Sequence, residues 1–444
     1  MYLATLPVNT KVAAIFEQDS ATMFDYETVK PQKIKSAYRG YIPWGDTNDL
    51  PTQMLAKIRA SEVMSPNMLF NILSCYGAGF NMRTIDGTEV SNADILTFFQ
   101  RNNMTKFLLE QITDLKHFAF SVCLVMVSLD GKKIVRIKHK EAEHARFEQN
   151  NPDTGRIENI FFTNWEDSPK DETTQVYPVL DYDDPYWDLS VRMGIEADPV
   201  TGKKAKATTD RIFAVITRVP VPGFKYYPFP YYSAHFNSGW YDISAMIPLA
   251  KKAKMTNGMT IKYHVEFHKD YFDGLYTNEQ ISDPTKKLAR KLKEFDNIKS
   301  FLSGIENAGK VWYSGYYIDP NGKENSMVRI TLLDKSKEGG DYIEDAEEAS
   351  NMQCYAMGVH PSLIGATPGK NTSSLSGSDK RELFTMKQSM ETAFRDLLLI
   401  PFSIIRSYNK WDPKIIFEIP HLMLTTLDQG KDAKLVTNNN NQPK

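Results

Sequence analysis

Two short stretches have residue types and spacings that could do chemistry. The first is GATPGKNTSS, Gly365 to Ser374, in which glycines precede a lysine and a threonine. A phosphate-binding loop needs four residues between its glycines and a lysine followed directly by Ser or Thr, so that successive N–H groups aim at phosphates. Here Gly365 and Gly369 have three residues between them, and Asn371 separates Lys370 from Thr372. The preceding MGVHPSLI contains Pro361 and does not read as a long buried strand, so nucleotide hydrolysis is not expected from this loop. The second stretch is HVEFH, with His264 and His268 four apart. A zinc protease carries its glutamate beside the first histidine on a helix. Glu266 sits two residues along in a segment that alternates like a strand, so two surface histidines are the expected reading. No Ser/His/Asp order or paired-carboxylate arrangement stands out, so no catalytic residue, metal or cofactor is assigned.

Composition bounds the remaining classes. The chain has 444 residues, 41% hydrophobic and 24% charged, with net charge −2, which suits a globular protein of two to three domains and advertises no basic nucleic-acid surface. A neutral surface is compatible with DNA that must slide past rather than be gripped. Cys75, Cys123 and Cys354 form no CxxC pair, so a reducing compartment is expected. The start MYLATLPVNTKVAAIFEQ does not read as a signal peptide, and FAFSVCLVMV is too short to span a bilayer, so no membrane partner is expected.

The elements that must position these residues mix helices and strands. Asn48 and Asp49 are expected to cap a helix opened by Pro51. A second helix from Ser65-Pro66 to Gly77 would carry Leu69, Ile72, Leu73 and Tyr76 on its apolar face, and a third would run unbroken from about Asn92 to His117. SVCLVMVSLDGKKIVRIKH reads as a hairpin turning at Asp130-Gly131, and RIENIFFTNW and DRIFAVITRV as further strands. Between these last two, Trp165 to Asp188 holds eight carboxylates and one lysine and reads as a solvated insertion. A helix with Ile243, Ile247 and Ala250 contains Pro248 and stops at Asn257-Gly258. MTIKYHVEF, 259–267, alternates with period two and reads as a strand, expected to pair with GKVWYSGYY, 309–317, or to cross to another subunit.

DPTKKLARKLKEFDNIKSFLSG, 283–304, is amphipathic, with Leu288, Leu292, Phe295 and Ile298 expected to pack. Its opposite face carries Lys286, Lys287, Arg290, Lys291 and Lys293, which read either as a solvated face or as a surface that docks a partner or lies near DNA. A helix within Gly339 to Gly358 precedes the glycine-rich loop. A long helix from Ser378 or Asp379 to about Asn409, bent at Pro401, follows it, and the polar tail TNNNNQPK is expected to be disordered.

Three blocks, taken in order over about residues 40–410, resemble the portal proteins of tailed bacteriophages. WGDTNDLP is similar to a Trp-x-x-x-Asn-x-Leu-Pro motif of that family. MTNGMTIKYHVEF, a charged helix and then GIENAGKVWY follow the family's Asn-Gly helix end and Glu-Asn-Ala-Gly-Lys segment. YAMGVHPSLIG with NTSSLSGSDKRELF is similar to the Gly-Val-Pro-Pro-x-Leu-Leu-Gly block and serine-rich loop, with His360 standing where the family often has proline.

The resemblance implies an α+β portal fold assembled as a ring, expected to be dodecameric. It implies a wing over 1–240, stem helices at 241–257 and within 326–358, and a clip over 258–325. A tunnel-loop region over 359–378, a long wing helix over 379–410 and a short C-terminal segment over 411–444 complete it, without a large crown. It further implies a virion protein, assembled in the host cytoplasm, at one capsid vertex. Such a protein would pass double-stranded DNA, dock the terminase large subunit, contact the major capsid protein and later join head–tail adaptor proteins, leaving ATP hydrolysis to the terminase. Gly369, Lys370, Asn371, Thr372, Ser373 and Ser374 would face DNA, where small flexible residues and one lysine per subunit touch phosphates without reading bases. The five cations of 286–293 would belong to the motor-docking surface. The alternatives are another head–tail connector or minor capsid protein of a virion, or a nucleotide-dependent motor component.

Overall fold

Asn48 shows how the turn before the first helix is built. In the computed structural model, which describes residues 31–33, 38–165, 173–198, 202–256, 263–268, 270–303, 315–318, 322–332, 343–364 and 377–424, Asn48 adopts a left-handed backbone (φ 61). Its Oδ1 accepts the Trp44 N–H at 2.9 Å and the buried Arg146 Nε at 2.5 Å. It therefore closes the turn rather than capping the helix that follows, α1 (Leu50–Ala60), which starts on Pro51 and buries Met54, Leu55 and Ile58. Trp44 is fully buried and stacks on Tyr227 at 4.6 Å between ring centres. Burying side chains of this size contributes roughly 1.5–3 kcal/mol each.

The chain continues through α2 (Met64–Tyr76), β1 (Asn81–Thr84), α3 (Ala93–Arg101) and α4 (Met104–Phe118). The single helix expected over 92–117 is thus two. Asn103 is left-handed (φ 43) and caps α4, while Asn102 donates to the Phe98 carbonyl and accepts the Ile137 N–H. The break is fixed by a strand more than thirty residues away. β2 (Phe120–Val127) and β3 (Ile134–Lys140) form the expected hairpin, with Gly131 at φ 70 in the turn. β4 (Ala145–Phe147), β5 (Asn159–Phe162) and β6 (Gln175–Pro178) make an antiparallel sheet in that order, and β7 (Ile212–Arg218) joins β2 to complete a second sheet, β3-β2-β7.

The acidic stretch is not a solvated insertion in its described part. It supplies β6 and the start of α5 (Pro185–Arg192). Its carboxylates are placed: Asp184 caps α5 by accepting the Trp187 N–H, Asp188 pairs with Arg192 at 2.9 Å, and Asp181 pairs with Arg156 at 2.6 Å. Residues 166–172 lie outside the described residues.

The polypeptide divides into two compact units, 1–246 with 343–444, and 247–342. α6 (Trp240–Thr256) crosses the first boundary with Pro248 inside it. In the second unit, β8 (Tyr263–Phe267) precedes α7 (Tyr271–Asn278), α8 (Pro284–Ser303), β9 (Tyr316–Ile318), β10 (Glu324–Ser326) and β11 (Val328–Leu332). Of GKVWYSGYY, residues 309–314 lie outside the described residues, and its described end does not pair with β8 within the chain. β8 pairs antiparallel with β11, and β9 with β10, because the short link from β9 to β10 closes a local hairpin and leaves β11 to lie along β8.

The chain returns to the first unit with α9 (Ile343–Ala356), the short α10 (Pro361–Ile364), α11 (Gly377–Met390), α12 (Thr392–Tyr408) and β12 (Ile415–Glu418), which pairs with β1. The long C-terminal helix breaks at Glu391, while Pro401 lies buried within α12. The first unit holds two apolar clusters. One gathers around Trp44, Phe120 and Tyr227, the other around Phe99, Phe402 and Phe417.

Candidate functional site

The glycine-rich loop that opened the sequence question, including Gly369, Lys370, Asn371, Thr372, Ser373 and Ser374, lies outside the described residues. Its two ends are described. On one side α9 stops at Gly358 (φ 61), with the Val359 N–H donating to the Cys354 carbonyl at 3.1 Å. His360 then starts α10, its Nδ1 accepting the Ser362 N–H at 3.3 Å and its carbonyl the Leu363 N–H at 3.0 Å. On the other side α11 begins at Gly377. Loop 365–376 therefore joins two helices.

Those helices are tied to the body by buried polar side chains that the sequence pattern did not single out. Gln353 of α9 accepts from the Ser61 hydroxyl at 3.0 Å and donates to the Ser244 hydroxyl of α6 at 2.5 Å. Asn71 of α2 donates to the Met357 carbonyl at 2.9 Å, and Asn67 approaches the Cys354 sulfur at 3.5 Å. This explains why α2 does not bury the face expected of it. It turns Asn67, Asn71, Met64, Met68, Ile72 and Cys75 inward and leaves Leu69 and Leu73 about half exposed (55% and 51%). Buried amides must be hydrogen-bonded: Asn71 finds its acceptor just past the end of α9, while Asn67 donates to the Val63 carbonyl at 2.7 Å and to the Cys354 sulfur.

A second knot fixes the α11–α12 junction. The buried Glu391 carboxylate contacts Lys116 Nζ at 2.5 Å and Lys387 Nζ at 3.0 Å. Lys116 also lies over the Phe394 ring at 3.4 Å. Burial pushes the Lys116 ammonium below its usual range, and the Glu391 carboxylate opposes that shift. One turn further, Arg395 donates to the carbonyls of Ser74 and Cys75, at 2.7 and 3.0 Å, and to the Gln388 side chain at 2.5 Å. Burial lowers its pKa too. Lys387–Glu391 and Gln388–Arg395 are local pairs, but the contacts to Lys116, Ser74 and Cys75 join residues hundreds apart, and spacing along the chain carries no sign of those.

In the second unit the five cations of α8 divide. Arg290 is bridged by Glu279, with Nε at 2.8 and 3.0 Å from its two oxygens, and by Glu294 at 2.7 Å, and these hydrogen bonds raise its pKa. Lys291 lies over the Phe272 ring at 5.0 Å and Lys287 over the Tyr276 ring at 5.4 Å. Lys286 and Lys293 are exposed. The expected apolar packing is only partly made: Ile298 is buried and Phe295 meets Phe267 and Phe272, but Leu288 and Leu292 are 59% and 53% exposed. The rings of α7 and the Glu279 carboxylate just past its end face the cationic flank of α8, which leaves the leucines on the exposed side.

Exposed apolar side chains recur on other helices. Met246 and Leu249 of α6, Tyr355 of α9, and Met386 and Met390 of α11 are all exposed. The cysteines offer no nucleophile. All three are buried, and burial raises the Cys75 thiol to about 12 and the Cys123 thiol further. His268 of the HVEFH stretch lies past the end of β8 against the Tyr317 ring at 4.2 Å. Among the described residues no group of three or more His, Cys, Asp or Glu could hold a metal ion, and no helix is long and apolar enough to cross a membrane.

No family model matches the chain, and no curated protein matches it in sequence. Its fold is nevertheless similar to solved structures. One chain, from a structure described as the neck of an empty gene transfer agent (GTA) particle computed with C6 symmetry, superposes with TM-score 0.54 at 11% identity. A chain from the virion of a native GTA particle gives 0.52 at 10% identity. A chain from the neck of a native GTA particle computed with C12 symmetry gives 0.50 at 12% identity. Each match covers 83% of this chain and 83–84% of the other. The class defined here is a mixed α+β fold similar to that of chains in GTA particles.

Proposed function

We propose that this chain is a portal protein: a ring-forming subunit that sits at one capsid vertex of a virion and surrounds the channel through which double-stranded DNA is packaged and ejected. The observation that carries this reading is the fold similarity over 83% of both chains to neck chains whose structures were computed with C6 and C12 symmetry. In such a ring α6 and α9 are the stem helices, 247–342 contains the clip, and loop 365–376 is the tunnel loop, with Lys370 and its neighbours directed at phosphate. The terminase large subunit docks on the clip, and Lys286 and Lys293 are the cations of α8 most available to it. The major capsid protein and head–tail adaptors bind elsewhere on the same ring. Exposed leucines on α2 and α8 and methionines on α6 and α11 are available for burial against further copies.

The protein performs no catalysis in this reading and needs no cofactor. The likeness to neck chains in general also favours a second reading, a head–tail connector of another type. Mass measurement of the purified protein, with electron microscopy down the ring axis, tests both. A closed ring of about a dozen subunits is expected, and a folded protein that stays monomeric at all concentrations would refute the portal reading. Intrinsic ATP turnover abolished by Lys370→Ala would instead assign the loop to a motor enzyme.

A further inference from the structure

The first unit contains a cleft of about 720 Å³ between the α3–α4 corner, the edge strand β3 and the segment around Thr163 and Gln175. Its walls carry five cationic side chains, Arg101, Lys106, Arg136, Lys138 and Lys140, against two carboxylates, Glu110 and Glu141. That excess is local, because the whole chain has net charge −2. Glu110 is already paired with Lys106 at 3.5 Å. Among the described residues Arg101, Arg136 and Lys138 form no ion pair, and all three are exposed. Lys140 is held in place at the far end, donating to Gln175 Oε1 at 2.9 Å over the Phe162 ring.

Of the two histidines in the wall, His139 is tied into it. His139 Nδ1 faces the Gln111 amide nitrogen at 2.9 Å, so it accepts, and Nε2–H points to Asp114 at 3.2 Å. Both ring nitrogens are occupied by the wall itself. The other histidine of the wall, His144, stands with Nε2 3.6 Å from the Glu141 carboxylate, and what sets the cleft apart is its charge and shape.

We propose that this cleft binds an acidic peptide segment in extended conformation, supplied by a partner protein. Three observations select that ligand. Arg136, Lys138 and Lys140 alternate along one strand, so their side chains share a face at steps of roughly 6.7 Å, the spacing of alternate carboxylates on a second extended chain. A volume of about 720 Å³ takes a few residues of peptide, whereas a DNA duplex would touch only the rim. The aromatic rings lining the cleft, Phe107 and Phe162, are buried, so no exposed ring offers a stacking platform for the bases of a single strand. The residues lining the cleft include none of loop 365–376 and none of α8, so its test does not depend on how those act.

The test uses the purified full chain and a fluorescein-labelled peptide of five Glu-Asp repeats, followed by anisotropy. Saturable binding is expected at low salt, weakening roughly tenfold or more as screening rises toward 0.3 M salt. Arg101→Glu/Arg136→Glu/Lys138→Glu should lose at least about tenfold in affinity, with an unchanged circular dichroism spectrum and unchanged assembly mass. A matched Gln-Asn peptide should not bind. The proposal is overturned by absence of binding at low salt, by equal binding to the triple variant, or by stronger competition from a short DNA duplex or tripolyphosphate than from unlabelled peptide at equal charge. Should the triple variant misfold, Lys138→Gln alone decides: a measurable loss of affinity supports the site, and none overturns it.

Discussion

Replacing Glu391 with Gln keeps the shape of the α11–α12 junction and removes only its charge. Lys116 and Lys387 then face each other with no carboxylate between them, in a site where the three side chains are 2–10% exposed. Breaking a buried ion pair from one side costs about 3–5 kcal/mol. Lys116 sets a ceiling on its own share, because it can escape by losing its proton. Holding it neutral costs about 1.4 kcal/mol for each pH unit below its unfolded value of 10.5, hence about 5 kcal/mol at pH 7 and about 2 kcal/mol at pH 9. Glu391→Gln should therefore destabilise the first unit by about 3–5 kcal/mol at pH 7 and by clearly less at pH 9, read as the shift of its denaturant-unfolding transition. Lys116→Met added to Glu391→Gln should recover part of the loss, since it removes the stranded charge and keeps the stem over Phe394. A penalty under about 1 kcal/mol at pH 7, or the same penalty at both pH values, would refute the argument that this knot is a desolvated charge network.

Leu288→Asp with Leu292→Asp should leave the isolated chain folded, within about 0.5 kcal/mol, because both side chains are exposed in it, and should prevent ring formation by mass measurement; assembled double variant would remove α8 from the interface. Gly77→Ala should destabilise by at least about 1–3 kcal/mol in the same unfolding assay, since the residue has φ 55 and a Cβ would come within 2.5 Å of the Pro420 carbonyl oxygen. Stability should also fall as pH drops below 6.5. Burial lowers the folded pKa of His117 and His235, so the unfolded chain takes up protons first and stability present above 6.5 is lost down through the folded values. His117→Gln/His235→Gln should flatten the dependence of the unfolding midpoint between pH 7.5 and 5.5, and an unchanged slope would show that other groups control it.

The sequence by itself determined the local elements with strong period or punctuation: the β2–β3 hairpin around Asp130-Gly131, the end of α2 at Gly77, α8 after Asp283, and the mixed α+β class. It also carried the resemblance in three ordered blocks, which the fold similarity supports at the level of architecture. These signals are local because turn chemistry and side-chain periodicity act over a few residues. Only the tertiary structure decided which face of each helix is inside. Leu69 and Leu73 scored as core by spacing, yet Asn67 and Asn71 take that place because the carbonyl of Met357, 286 residues from Asn71, needs a donor. Leu288 and Leu292 fit an apolar stripe, yet the rings of α7 and the Glu279 carboxylate just past it claim the cationic flank of α8 instead. The Lys387–Glu391 spacing and the alternating cations of β3 are visible in the sequence, but Lys116 as the third member of the knot and the opposite wall of the cleft are not. Their partners meet only when distant segments pack, and burial is what turns ordinary surface residue types into strong interactions.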